Sequence, residues 1–207
     1  RRRIGEASTL DLQRLETLEE ERFKWLEYYK VKFKGDWYTR LFGKFVLRAN
    51  AEFGFLGNYN QDIGDVPFER FFVGGDGMGN FTMDGRDMIQ LRGYENQALT
   101  PVDELTGQQE GGLVYNKFSM EMRYPLTLKP SASIFAMTFL EAGNAFDRFS
   151  TFDPFDAKRS AGVGIRIFMP AFGLLGVDFG YGFDQDNQPS SFGPSGWQTH
   201  FIIGQQF

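Results

Sequence analysis

The sequence predicts an all-β fold: an antiparallel β-barrel that crosses a membrane. Three observations predict it. Side-chain polarity alternates with a period of two through most of the chain. Seven strand segments can be drawn, each about as long as the 9–11 residues that cross a bilayer as a strand. The connections between them switch between a few residues and dozens. Composition agrees: hydrophobic residues make up 42%, with 24 Phe and 25 Gly, yet mean hydropathy is only −0.36. That combination arises when every second residue faces lipid and the others face a polar lumen. No helix is long and apolar enough to span. The most apolar stretch, Ala132 to Leu140, includes Ser133 and Thr138, and a spanning helix needs about 20 residues.

Taken in order, residues 1–26 are expected to be a loop with short helices. Leu10, Leu12, Leu15 and Leu18 sit among acidic residues, and Thr17 to Glu20 fits a capping box. A solvated charged helix with no special role accounts for them. Barrel sequence then runs over 27–207. In 28–38, Tyr29, Val31, Phe33 and Trp37 alternate with Lys30, Lys32, Lys34 and Asp36. In 44–55, Phe45, Leu47, Ala49, Ala51, Phe53 and Phe55 alternate with Lys44, Arg48, Asn50 and Glu52. In 114–124, Val114, Phe118, Met120, Met122 and Tyr124 oppose Lys117, Ser119, Glu121 and Arg123. Segment 133–143 is apolar on both faces. In 160–169 and 176–183, Ala161, Val163, Ile165, Val177, Phe179 and Tyr181 oppose Gly, Ser, Arg166 and Asp178. Segment 199–207 is the seventh strand.

A soluble β-sandwich also alternates, with its apolar faces meeting in a shared core. Two features favour the membrane barrel. The charge-bearing faces carry much Gly, which suits a crowded lumen. Leu41-Phe42-Gly43 and Thr127 to Pro130 are short, whereas 56–112 and 144–156 are long, and short turns on one side with long loops on the other mark outer-membrane barrels. Bacterial barrels close with an even number of strands, and an open sheet edge in lipid is costly. Further strands are therefore expected upstream. Arg1-Arg2-Arg3-Ile4-Gly5 is followed by no apolar stretch, so no signal peptide opens the chain, and an exported origin also requires upstream sequence.

Other classes are disfavoured. Without cysteine there are no disulfides or thiolate zinc sites, and a net charge of −5 argues against a nucleic-acid binder. No metal site is expected, because Asp76, Asp84 and Asp87 match no calcium-loop spacing. Catalysis is not expected either. The single histidine, His200, has luminal parity on the last strand and no cue for a serine partner, as a satisfied structural histidine would.

Segment 56–112 is too long for an idle loop. It contains Phe71-Phe72-Val73-Gly74-Gly75 and Leu91-Arg92-Gly93-Tyr94. Glu121 follows in Ser119-Met120-Glu121-Met122-Arg123-Tyr124-Pro125, and Glu141 in Phe139-Leu140-Glu141-Ala142-Gly143-Asn144. This order resembles the BamA family, the outer-membrane factors that assemble other β-barrels. The resemblance implies that 27–207 holds the C-terminal seven strands of a sixteen-stranded barrel. It implies that the large extracellular loop, with Gly74, Gly75, Arg92, Gly93 and Tyr94, folds into the lumen. Arg92 would meet the wall carboxylates Glu121 and Glu141; a planar guanidinium suits bridging two carboxylates better than an ammonium does. The segment from Asp76 to Gln90 is longer than the family pattern.

The C-terminus carries a second signature. Phe201, Ile203, Gln205 and Phe207 share one face, with Gly204 on the other. This resembles the β-signal of barrel proteins. In the family the last strand pairs weakly with the first to form a lateral gate, which Gly204 would aid. The resemblance therefore implies insertion of barrel clients at a seam in the outer membrane of a Gram-negative bacterium. Its partners would be unfolded barrel clients, accessory lipoproteins, periplasmic chaperones and the lipid bilayer, with no cofactor and no nucleic acid. A two-partner secretion transporter of the same superfamily is the main alternative, and a passive porin-like channel a lesser one.

Overall fold

The computed structural model describes residues 27–59, 66–77, 86–103, 107–170, 173–187 and 192–204. The helices expected in 8–26, and Gln205 and Phe207 of the terminal signature, lie outside the described residues, as do 78–85 of the segment after Gly75. Among the described residues nine strands form: β1 (Tyr28–Arg40), β2 (Val46–Asn58), β3 (Phe71–Val73), β4 (Asp87–Ile89), β5 (Val114–Lys129), β6 (Ala132–Phe146), β7 (Lys158–Met169), β8 (Gly173–Gly182) and β9 (Gly196–Gly204). Seven of them make one sheet in the order β1-β2-β5-β6-β7-β8-β9. Pairing is antiparallel from β2 through β9. Each strand expected from the period of two is present, so the all-β antiparallel barrel wall stands.

By compactness the chain divides into Arg1–Lys30 with Gly57–Val66, and Val31–Leu56 with Pro67–Phe207. In the described part of the first unit, the Tyr29 and Tyr59 rings lie 5.3 Å apart, and the Tyr59 N–H donates to the Glu27 carbonyl. Everything below concerns the second unit.

Exposure decides between barrel and sandwich. On the outward face of β5 to β9 the apolar residues are exposed: Leu140 is 58% exposed, Val163 52% and Phe201 58%. The charged residues opposite them are buried, Glu121 at 3% and Asp178 at 0%. A water-soluble sheet shows the reverse. Aromatic clusters mark both ends of the apolar band, as membrane interfaces favour. Phe42, Phe45 and Tyr124 cluster at the short-turn end, with centroids 5.0 and 4.9 Å apart. Tyr181, Phe183 and Trp197 gather at the loop end, at 5.3 and 5.4 Å.

Strand boundaries shift by a few residues from the sequence expectation, most of all at the end of β5. The turn expected over Thr127 to Pro130 is shorter, because β5 continues through Pro125 to Lys129. The pairing with β6 shifts register between Pro125 and Thr127, so the proline's missing N–H falls at an irregularity in the ladder.

The long loop between β2 and β5 contains a further element that periodicity does not reveal. Strands β3 and β4, three residues each, pair in parallel, and Phe71 also bridges to Gly112 beside β5. The loop carries much of the apolar core. Phe71, Val73, Ile89, Leu91, Tyr94 and Leu99 pack with Leu113, Val114, Tyr115 and Phe146 at the loop end of the wall. Burial of that face holds the loop against the barrel strands.

Candidate functional site

The register of the wall sets the site. Glu121 on β5 faces Phe139 on β6, and Glu141 on β6 faces Ser119 on β5. The two carboxylates are therefore diagonal neighbours, with Phe139 directly across from Glu121 and beside Glu141. On β7 and β8 the same luminal row continues as Gly162 and Gly180, leaving room above the wall.

Gly74 and Gly75 place the loop motif. Both have positive φ, +127° and +76°, and Gly75 exchanges two backbone hydrogen bonds with Leu91. This bridge fixes the residue before Arg92. Gly93 then turns at φ +87°. A Cβ there would lie 2.8 Å from the Ser160 Cβ, and a Cβ on Gly180 would lie 2.7 Å from the Gly93 nitrogen. Loop and wall thus meet glycine on glycine, at a distance no other residue allows.

Arg92, 2% exposed, is held from four directions. Its Nη2 donates to Glu121 Oε1 at 2.7 Å and to Glu141 Oε1 at 2.5 Å. Its Nη1 donates to Asp178 Oδ2 on β8 at 3.1 Å, and its backbone N–H to Glu141 Oε2 at 2.8 Å. The guanidinium carbon lies 3.8 Å from the Phe139 ring centroid, a cation–π contact strengthened by desolvation. Burial alone would lower the pKa of Arg92, but Glu141, Glu121 and Asp178 outweigh it and hold the group above its ordinary value. The guanidinium is charged at every working pH.

The carboxylates have other partners as well. Arg123 Nε and Nη2 donate to Glu121 Oε2 at 2.9 and 2.5 Å, and Arg48 Nη1 lies 3.4 Å from the same oxygen. Arg166 grips Asp178 with two bonds of 2.5 Å. Glu141 accepts from Ser119 at 3.1 Å, with Lys117 more distant at 3.9 Å. Tyr94 completes the motif: it is buried, and its hydroxyl donates to the Arg159 carbonyl at 2.7 Å. Burial raises its pKa above the ordinary tyrosine value, so it stays neutral.

The structure thus brings Arg92 together with both glutamates named from the sequence. It adds Asp178, Phe139, Arg123, Arg166 and Arg48, which the motifs did not single out. The available signal for Asp178 was a lone charge between Gly176 and Gly180 on a luminal face. His200 is 4% exposed, and its Nε2 accepts the Gly93 N–H at 2.9 Å. Of the terminal signature, Phe201 and Ile203 point outward. Gly204 pairs with Leu174 at the end of β9, with open space where a Cβ would stand.

These features define a class: a segment of a transmembrane β-barrel with an apolar outer face, a charged lumen, and a long loop folded inward onto the wall. The Omp85 superfamily domain matches residues 13–207, and the chain belongs to that superfamily. No curated protein sequence matches it. Among solved structures, BamA from Haemophilus ducreyi lacking POTRA domains 1–3 aligns at a TM-score of 0.60 with 17% identity. That alignment covers 85% of this chain and 35% of the BamA chain. At this identity the likeness is one of fold, and the fold is that of part of a BamA-like barrel.

Proposed function

We propose that the protein carrying this segment inserts β-barrel proteins into the outer membrane of a Gram-negative bacterium. The observation that carries the reading is the buried grip of Arg92 on Glu121, Glu141 and Asp178. A passive channel has no need of a loop locked at one guanidinium to three strands of its wall. An assembly barrel does, because a wall that opens at a seam must keep its lumen and remaining strands in shape. In this reading the edges of the first and last strands offer backbone hydrogen bonds to a client's terminal strand, a form of strand addition. Phe201, Ile203 and Gly204 lie on that last strand. Unfolded barrel clients, chaperones that deliver them, accessory lipoproteins and the bilayer are the partners. No covalent bond is made or broken, so neither catalytic residue nor cofactor takes part.

The test is charge-reversal rescue in the full-length protein, scored by client assembly in reconstituted membranes. Arg92→Glu is expected to cripple assembly, and combination with Glu141→Arg or Glu121→Arg to restore part of it. Normal assembly by Arg92→Glu alone would overturn the reading, in favour of a secretion transporter of the same superfamily or a porin-like channel.

A further inference from the structure

Consecutive residues of the loop motif hold consecutive parts of the wall. Arg92 binds β5, β6 and β8 through Glu121, Glu141 and Asp178. Gly93 sits on β8 at Gly180 and Gly182 and reaches one strand further, where its N–H donates to His200 Nε2 on β9 at 2.9 Å. His200 in turn is the direct cross-strand partner of Asp178. β9 is the last strand of the sheet and has one paired neighbour, β8, among the described residues. The loop holds β9 through the Gly93 bond and β5, β6 and β8 through Arg92, so the two attachments are separable.

The chemistry of this bond differs from that of the Arg92 cluster. An imidazole nitrogen accepts an N–H only while it carries no proton, and histidine changes charge within the physiological range. The charged groups that bear on His200 are Asp76 and Arg92 from the loop, Asp178 from β8 and Glu141 from β6. Burial of the ring opposes its protonation, as does Arg92, whereas Asp76, Asp178 and Glu141 favour it. The Gly93 N–H is a fixed donor: φ +87° and the close wall leave the turn no room to rotate away. A proton on Nε2 would set two donors against each other in a buried space.

We infer that His200 is a positioning residue that clasps the terminal strand to the loop motif, and that its protonation releases β9 while leaving the Arg92 lock closed. The clasp holds above the pKa of His200 and is lost as pH falls through it. The inference rests on the reading of the loop as a lock on the wall, and it adds a separate control at the strand nearest the seam. A glutamine can place an acceptor oxygen near the position of Nε2 without titrating, and alanine cannot.

Hydrogen–deuterium exchange of the full-length protein in lipid nanodiscs tests the clasp, with rates corrected for the chemical pH dependence. On lowering the pH from about 7.5 to about 4, a window that reaches below the ordinary histidine range because burial opposes protonation, unmodified protein should show faster exchange in peptides covering β9. A step of about tenfold corresponds to the loss of one buried hydrogen bond. His200→Gln should stay protected at both pH values and show no step. His200→Ala should exchange fast at both. Peptides from β5 and β6, held by Arg92, serve as the internal reference and should not change in either variant. A step that persists in His200→Gln overturns the clasp, and so does wild-type protection of β9 in His200→Ala. Should the alanine variant fail to fold, the comparison of unmodified protein with His200→Gln decides alone. Failure here with intact charge-reversal rescue at Arg92 removes the clasp and leaves the lock.

Discussion

Removing Arg92 should strand one carboxylate far more than the other two, and the geometry says which. Arg92→Gln in the full-length protein takes a nearly buried guanidinium from a site where its side chain is 3% exposed. Glu121 keeps Arg123 at 2.5 Å and Arg48 at 3.4 Å. Asp178 keeps its paired bonds from Arg166. Glu141, with a side chain 1% exposed, keeps the Ser119 hydroxyl and Lys117 at 3.9 Å, and so loses its one close cation. An uncompensated buried charge costs about 3–5 kcal/mol, and most of that should fall on Glu141. Neutralising it should therefore recover the loss best. The double variant Arg92→Gln/Glu141→Gln is expected to regain about 1–3 kcal/mol of loop docking, within the range of coupling energies for residues in contact. Arg92→Gln/Glu121→Gln should regain little, because it leaves Arg123 without its carboxylate. Exchange rates of amides in 91–100, compared around a double-mutant cycle, measure the docking energy. Equal or greater recovery with Glu121→Gln would refute this ordering.

Two further predictions follow from contacts at the wall. Gly93→Ala and Gly180→Ala should each undock the loop, since one Cβ meets Ser160 at 2.8 Å and the other the Gly93 nitrogen at 2.7 Å. Only Gly93→Ala also carries the cost of positive φ, about 1–3 kcal/mol, so protease sensitivity of the loop should be greater in Gly93→Ala. On the outer face, Leu140→Arg, near the middle of β6 and 58% exposed, should destabilise the barrel by about 2–4 kcal/mol in lipid. Unfolding titrations in bilayers check it, and an arginine tolerated there would contradict a lipid-facing position.

What could be read from the sequence is what depends on period alone. Strand alternation is local, because successive side chains point to opposite faces. Lys117, Ser119, Glu121 and Arg123 therefore declared one face of β5, and Phe118, Met120 and Met122 the other, before any partner was known. Which face meets lipid followed from the glycines beside the charges and from loop lengths. The loop motif and its two glutamates were legible as an ordered set, through resemblance to a family whose loop turns inward.

The tertiary structure decided everything that depends on register between strands and on where the loop lands. Glu121 and Glu141 lie 20 positions apart, and nothing local says that Phe139 stands beside both or that Asp178 completes the grip from β8. Phe139 belongs to a segment apolar on both faces, so its role beneath a guanidinium carried no periodic signal. The parallel pair β3–β4 leaves no periodic signal, because three residues cannot establish a period. His200 illustrates the division most sharply: its luminal parity was plain from the sequence, but its partner, Gly93, lies 107 residues away. Long-range pairs of this kind are set by the register of the sheet and by where the loop docks on it, which bring distant positions together at a spacing that no short stretch of chain encodes.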